Sequence, residues 1–348
     1  MNDLIHKLAE VDAGALPFLS IYLDVRPEAT GQKPQLREGL LVLEDRLREI
    51  RRTFLPRGED LDSFDADAAS INRFVEEEMQ ASTEGVAIFA CNGLGVWEAV
   101  EVGTPFEIQV TVASRADLYQ LAKLEDEFER AVVGVIDTNT ARLYAYEYGA
   151  LVEAGGPDDD PVHYRKRATG GWSQARYQRH IDKHRKDFTE EIVQAIDDLV
   201  AREDAHHVVL AGDEVVMSHL NRAMPKRLAE KVTGVFQADI RANVNEIAAE
   251  VAPIMEQAER ESGMSAVERL VGEVRRGGLG IAGVAATGRA LDNGQVDTLV
   301  IDEQTLGPTE RKEMVRLAAT TAAEVEVVQD AAPLAEMEGV GALLRYRL

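Results

Sequence analysis

The sequence predicts a mixed α/β protein of three domains. At 348 residues the chain exceeds one ordinary core and suits domains of about 100 to 150 residues each. Strand and helix signals alternate along its whole length, the pattern of layered α/β units. Apolar residues make up 45% of it and charged residues 29%, enough apolar surface to bury sizeable cores and too much for a disordered chain. The expected domains are 1–128, 129–262 and 263–348.

The first strand signal is 18–25, where Leu19, Ile21, Leu23 and Val25 alternate with mixed neighbours. Leu36, Leu40, Leu43, Leu47, Ile50 and Phe54 then recur at helical spacing, and Pro56 stops that helix. A second helix is expected over 67–79, followed by strands at 86–91, 96–102 and 107–112 and a helical connection over 114–130. The middle domain opens with strands at 132–137 and 142–148 around a turn at 138–140. From Ile181, residues Phe188, Ile192, Ile196 and Leu199 predict a long helix that leads to a buried strand at 208–212. A largely helical, charged stretch runs from there to about Gly263. The last domain shows a strand at 296–301, a helix at 309–321, a strand at 325–328 and a closing segment at 344–348.

Charge narrows the function classes. A formal net charge of −24 argues against a protein that coats nucleic acid with its whole surface, because phosphate binding needs clustered Lys and Arg. One such cluster exists between 161 and 190: Arg165, Lys166, Arg167, Arg176, Arg179, Lys183, Arg185 and Lys186 against Asp182, Asp187 and Glu190. Any RNA contact is therefore expected to be local, and DNA is not an expected partner. No apolar stretch approaches a membrane span and the start has no signal-peptide pattern, so a cytoplasmic protein is expected. Cys91 is the only cysteine, which excludes an intrachain disulfide and a multi-cysteine zinc site; within VAIFAC it reads as a core residue. His206-His207 lacks a carboxylate or cysteine at metal spacing and reads as structural or surface. No metal site and no cofactor are expected.

The stretch from Arg165 to Arg176, RKRATGGWSQAR, is the most informative. Gly170 and Gly171 accept conformations closed to other residues and allow close backbone approach to a ligand, while the flanking Lys and Arg neutralise phosphates. Trp172 offers a face for base stacking, and Gln174 an uncharged amide that donates and accepts. A Gly-Gly pair alone is common loop punctuation. Its company along the chain is what distinguishes it.

The segment from Gly170 to Arg179, GGWSQARYQR, resembles the GGQ loop of archaeal and eukaryotic class-one peptide-chain release factors. It stands in the same order, after a strand pair and a basic run and before a long helix and the strand at 209–212. Residues 290–301, ALDNGQVDTLVI, and 339–347, GVGALLRYR, are similar to that family's C-terminal strand entry and tail, and 19–23 and 85–89 fit its first domain. The chain is thereby identified as resembling a bacterial branch of the release-factor and Pelota superfamily. The resemblance implies an N-terminal α/β domain, a middle domain carrying the loop, and a C-terminal α/β/α sandwich of the L7Ae type. Three departures accompany it: Trp172 and Ser173 separate Gly171 from Gln174, the first domain has no Asn-Ile-Lys-Ser segment, and the C-terminal domain is short.

The activity so implied is hydrolysis of peptidyl-tRNA in termination, rescue or quality control. Gly170, Gly171, Trp172, Ser173 and Gln174 would form the catalytic loop, with backbone N–H groups and the Gln174 amide positioning water and stabilising the oxyanion. Arg165, Lys166, Arg167, Arg176, Arg179 and Lys183 would hold RNA phosphates. The implied partners are the ribosome and peptidyl-tRNA, with a translational GTPase as a further candidate. Two other classes stay open: a catalytically inert ribosome- or tRNA-binding factor for stalling or hibernation, and a nuclease acting near the tRNA 3′ end.

Overall fold

The computed structural model describes residues 1–26, 38–80, 83–138, 140–155 and 174–347, with residue 38 and residues 174–185 given by backbone alone. They form two units, Met1–Glu127 with Arg260–Leu348, and Phe128–Glu259. The chain is mixed α/β, with one sheet in the second unit and two in the first.

The N-terminal part of the first unit runs α1 (Asn2–Ala9), β1 (Phe18–Asp24), α2 (Glu38–Arg51), α3 (Glu59–Arg73), β2 (Gly85–Cys91), β3 (Val96–Val102), β4 (Gln109–Ala113) and α4 (Tyr119–Glu127). Its sheet has the order β3-β2-β1-β4, every pair antiparallel. The two central strands are covered on both faces. Leu19, Ile21, Leu23, Val86 and Ile88 meet Leu43, Leu47, Phe64 and Ile71 of the helices, while Tyr22 turns the other way to pack edge-on against Phe89 and Phe106. Cys91 is a buried core residue, as its apolar surroundings suggest.

Three elements depart from the sequence reading, which gave no helix at Asn2–Ala9. Helix α3 starts at Glu59 rather than near 67, because Leu61 and Phe64 extend the buried stripe and Glu59, Asp60 and Asp62 sit in the first turn, where the helix dipole favours acids. Helix α4 starts at Tyr119 rather than 114, because the preceding residues are tied to the sheet. The Asp117 N–H donates to Ser20 Oγ (3.0 Å), its carbonyl accepts from Tyr22 Oη (2.7 Å), and its buried carboxylate accepts from Gln109 Nε2.

The second unit runs β5 (Ala131–Ile136), β6 (Ala141–Glu147), β7 (Ala150–Gly155), α5 (Gln174–Arg202), β8 (His207–Ala211), α6 (Glu214–Ala223), α7 (Lys226–Ala229), β9 (Val232–Phe236) and the first half of α8 (Val244–Arg275). Its sheet order is β7-β6-β5-β8-β9, antiparallel among the first three strands and parallel from β5 to β9. One face is covered by α5, α6 and α7 through Phe188, Ile192, Ile196, Leu220 and Leu228, and the other by Ile247, Val251 and Met255 of α8. Strands β7 and β9 escaped the sequence reading. Four of the six β7 residues are exposed, so no alternation marks it, and β9 is a five-residue strand in a stretch whose charge and apolar spacing suggested helix.

The first unit resumes with β10 (Gly280–Ala282), α9 (Val284–Asp292), β11 (Val296–Asp302), α10 (Pro308–Thr320), β12 (Glu324–Val328), α11 (Ala332–Ala335) and β13 (Val340–Leu344), in the sheet order β10-β13-β11-β12. The closing strand is thus 340–344 rather than 344–348. Val340 and Ala342 are fully buried, whereas Arg345, Tyr346 and Arg347 lie exposed beyond it. Gly339 makes the tight turn into it at φ +73°, where an added Cβ would lie 2.8 Å from the Leu306 nitrogen. Within this unit the N- and C-terminal parts are joined by charge. Lys312 Nζ meets the Asp117 carboxylate (2.6 Å), Lys123 Nζ meets Glu303 (2.6 Å), the Val327 N–H donates to Asp126 (2.7 Å), and Arg311 lies over the Tyr119 ring (4.7 Å).

Asp67 of α3 is 3% exposed, and its carboxylate accepts from the Asn92 N–H (2.9 Å) to hold the β2–β3 turn. Desolvation pushes its pKa up to about 6, against that one hydrogen bond. A carboxyl raised on folding favours the folded state below its unfolded value of about 4 and loses that contribution as pH climbs through 6. Asp67→Asn keeps an acceptor for Asn92 without the buried charge. We expect this variant to exceed the wild type in stability at pH 8 by up to about 3 kcal/mol, with the gap narrowing at pH 4, as read by chemical denaturation at both pH values.

Candidate functional site

Helix α5 is the crossover that parallel pairing of β5 and β8 requires. Its burial among described side chains begins at Phe188, with Lys186 and Asp187 exposed just before it. From there Ile192, Val193, Ile196, Leu199 and Val200 hold the helix to the sheet at spacings of three and four. The helix begins at Gln174, seven residues before Ile181, where the sequence reading placed its start. Residues 174–185 extend it by about 18 Å at 1.5 Å per residue. Their sequence carries Arg176, Arg179, Lys183 and Arg185 against Asp182. Arg176, Arg179 and Lys183 recur at spacings of three and four and so share one helix face.

Of the site residues expected from sequence, Gln174 is the first residue of α5, and Arg176, Arg179 and Lys183 occupy its first three turns. Gly170, Gly171, Trp172, Ser173, Arg165, Lys166 and Arg167 lie outside the described residues, as do the side chains of Gln174, Arg176, Arg179 and Lys183. The strand entering this segment is fixed firmly. Arg142 on β6 donates through Nη1 to the carbonyls of Ile240 (3.1 Å) and Ala242 (2.9 Å) and through Nε to Glu153 on β7 (3.3 Å). The β6–β7 register shifts at the same place: Leu143 faces Gly155 and Tyr144 faces Glu153, which leaves Ala154 as the extra residue of a bulge.

A second polar constellation in this unit was not legible from local spacing. The His207 ring joins Thr233 Oγ1 through Nδ1 (2.6 Å) and the Glu129 carboxylate through Nε2. A carboxylate only accepts, so Nε2 carries the proton that it donates to Glu129, and Nδ1 lies within hydrogen-bond distance of the threonine hydroxyl. The hydrogen bond from His207 holds the Glu129 carboxyl below the usual glutamate range against burial, helped by the electrostatic influence of the same ring and, less, of His206 and Lys231. The reading of His207 as structural or surface rested on the lack of a neighbouring carboxylate. Its partners come from 78 and 26 positions away in sequence.

Residues 117–258 match the family model described as bacterial archaeo-eukaryotic release factor family 10. A protein pelota homolog of Pyrococcus furiosus is 25% identical over an alignment that covers 72% of this chain and 71% of that protein. Among solved structures, an archaeal translation termination factor, aRF1, aligns with 99% of this chain and 96% of its own at 18% identity and a TM-score of 0.28. A model of ribosome-bound archaeal Pelota and ABCE1 aligns with 100% and 95% at 13% identity and a TM-score of 0.46. The Pelota protein of Archaeoglobus fulgidus covers 76% and 79% at 13% identity and a TM-score of 0.38. The sequence matches show that the chain is similar to release-factor and Pelota proteins. That likeness is to bacterial archaeo-eukaryotic release factor family 10 over the central residues 117–258, and to the pelota homolog over a longer stretch. Among the described residues no helix is long and apolar enough to cross a membrane.

The anchoring of α5 yields a direct expectation. Ile196 is fully buried in the core between helix and sheet, so Ile196→Ala removes packing that nothing nearby replaces. We expect a loss of about 3 kcal/mol in urea denaturation, whereas Lys186→Ala, at an exposed position on the same helix, changes stability by less than about 0.5 kcal/mol.

Proposed function

We propose that the chain acts at the ribosome and hydrolyses peptidyl-tRNA in termination, rescue or quality control. The observation that carries this reading is the continuity of RKRATGGWSQAR with α5, inside the stretch 117–258 that matches the release-factor family model. In this reading Gly170, Gly171, Trp172, Ser173 and Gln174 reach the ester that joins the nascent peptide to tRNA. Backbone N–H groups at Trp172 or Gln174 and the Gln174 amide orient water and stabilise the developing oxyanion, so the protein supplies geometry rather than an ionised base. Arg165, Lys166, Arg167, Arg176, Arg179 and Lys183 hold rRNA or tRNA phosphates, a local positive stretch on a chain of net charge −24.

The proposed partners are the ribosome and peptidyl-tRNA, with a translational GTPase as a further candidate, and the cytoplasm is where such a protein works. We keep 1–128, 129–262 and 263–348 as functional domains, a division supported by the fact that each interval contains one complete sheet. The last interval is proposed as the L7Ae-like domain. One specific observation favours a second reading, that of an inert binder occupying the same place: Trp172 and Ser173 stand between Gly171 and Gln174.

Peptide release from purified ribosomes carrying peptidyl-tRNA separates these readings. For a hydrolase, Gln174→Ala slows release by about 100-fold or more with ribosome binding unchanged. Gly171→Val is as damaging, and reversal of Arg165, Lys166 and Arg167 to Glu abolishes both binding and release. A control reversal belongs at Arg52 and Arg57 and not at Arg51, whose guanidinium is paired to Asp65 at 2.7 and 2.8 Å. The released tRNA keeps an intact 3′ end for a hydrolase and is shortened by a nuclease. Tight binding by wild type without release of peptide or tRNA fragment establishes the inert reading instead.

A further inference from the structure

We propose that Thr233, His207 and Glu129 form a nucleophilic site that accepts the acyl group of small activated esters. A hydroxyl is made nucleophilic when a base sits within hydrogen-bond reach of it and a third group orients that base. Thr233 Oγ1 lies 2.6 Å from His207 Nδ1, and Glu129 holds the opposite nitrogen of the same ring.

The local fold aims the hydroxyl there. Val208 pairs with Val232 and Val209 with Gly234, so Thr233 is the extra residue of a bulge in β9. A bulge re-aims one side chain out of the regular alternation of a strand. Among the described residues strand β9 also lies at the border of its sheet, with a neighbour on one side only. The competing acceptor for the threonine proton, the Lys231 carbonyl at 3.2 Å, is more distant than the imidazole. Lys231 itself is engaged, its ammonium donating to the Ala205 carbonyl at 2.7 Å. The His207 and Glu129 side chains retain 22% and 35% of their exposure, which leaves the ring and the carboxylate within reach of a small solute.

Thr233 Oγ bonds to the ester carbonyl carbon while His207 Nδ1 takes the hydroxyl proton. The bond from that carbon to the leaving oxygen then breaks, and the imidazolium returns the proton to the departing alcohol. Water repeats the exchange on the acyl-threonine: its proton passes to Nδ1, its oxygen joins the acyl carbon, and the carboxylic acid leaves as the threonine hydroxyl is restored. Ester and water become acid and alcohol. Glu129 is a positioning residue that fixes the ring with Nε2 protonated and stabilises the transient imidazolium.

The test uses the full chain with p-nitrophenyl acetate. A burst of p-nitrophenolate equal to the protein concentration is expected, together with one acetyl group on the peptide containing Thr233, both read in the same samples. Thr233→Val keeps the side-chain shape and loses both signals, Thr233→Ser keeps them, and His207→Gln slows acylation by about 100-fold or more. Glu129→Gln slows acylation while the thermal transition shows the fold retained. Should the valine variant fail to fold, the site of acetylation in the wild type decides alone. Folded wild type without a burst, or an acetyl group that maps elsewhere or persists in the valine variant, overturns the proposal.

Discussion

Parallel pairing of β5 with β8 is the constraint on which the second unit depends. Two parallel neighbours cannot be joined by a tight turn, so the chain must leave the sheet, cross a face and return. Here it leaves through β6 and β7 and returns along α5, with Ala131 set against His207 and Val135 against Ala211. Phe188, Ile192, Ile196 and Leu199 supply the apolar contact that makes the return worthwhile against the entropy of ordering a long helix. The start of α5 at Gln174 and the end of β7 at Gly155 follow as the two fixed points of the segment between them. Gln174, one of the residues proposed for the chemistry, is thus the first residue of an anchored helix.

Charge is arranged with the same economy. The chain is acidic as a whole, and two of its less exposed acids are matched by lysines. Asp117 meets Lys312 and Gln109, and Glu303 meets Lys123, so N- and C-terminal parts of the first unit are joined by pairs that would be costly to break singly. Asp67 is the informative contrast, a buried carboxylate with one backbone donor and a raised pKa. Basic residues are concentrated between 165 and 186, where the reading as an RNA-facing stretch needs them.

Much of this was legible in the sequence because the signals were local and periodic. The strands at 18–24, 85–91 and 207–211 are runs of apolar residues bounded by polar ones, and the stripe Phe188, Ile192, Ile196, Leu199 gave the buried face of α5. The family resemblance rested on motif order and was met by the sequence matches. Strand β7 was missed because an exposed edge strand carries little alternation, and β9 because it is short and lies in a stretch whose charge and apolar spacing suggested helix. The early starts of α3 and α5 were missed because acids and bases dominate their first turns and hide the stripe. The Glu129–His207–Thr233 constellation was invisible for a different reason: it is assembled from three strand beginnings brought side by side only by the parallel half of the sheet.

The central claim, that the segment entering α5 meets tRNA on the ribosome, is tested most directly by placing a photo-crosslinking amino acid at Trp172 in the full chain and irradiating it with purified bacterial ribosomes that carry peptidyl-tRNA. The account predicts adducts to the 3′ end of that tRNA or to the rRNA that surrounds it, mapped by sequencing. Adducts confined to ribosomal proteins or to remote rRNA, from a chain that demonstrably co-sediments with the ribosomes, would contradict it.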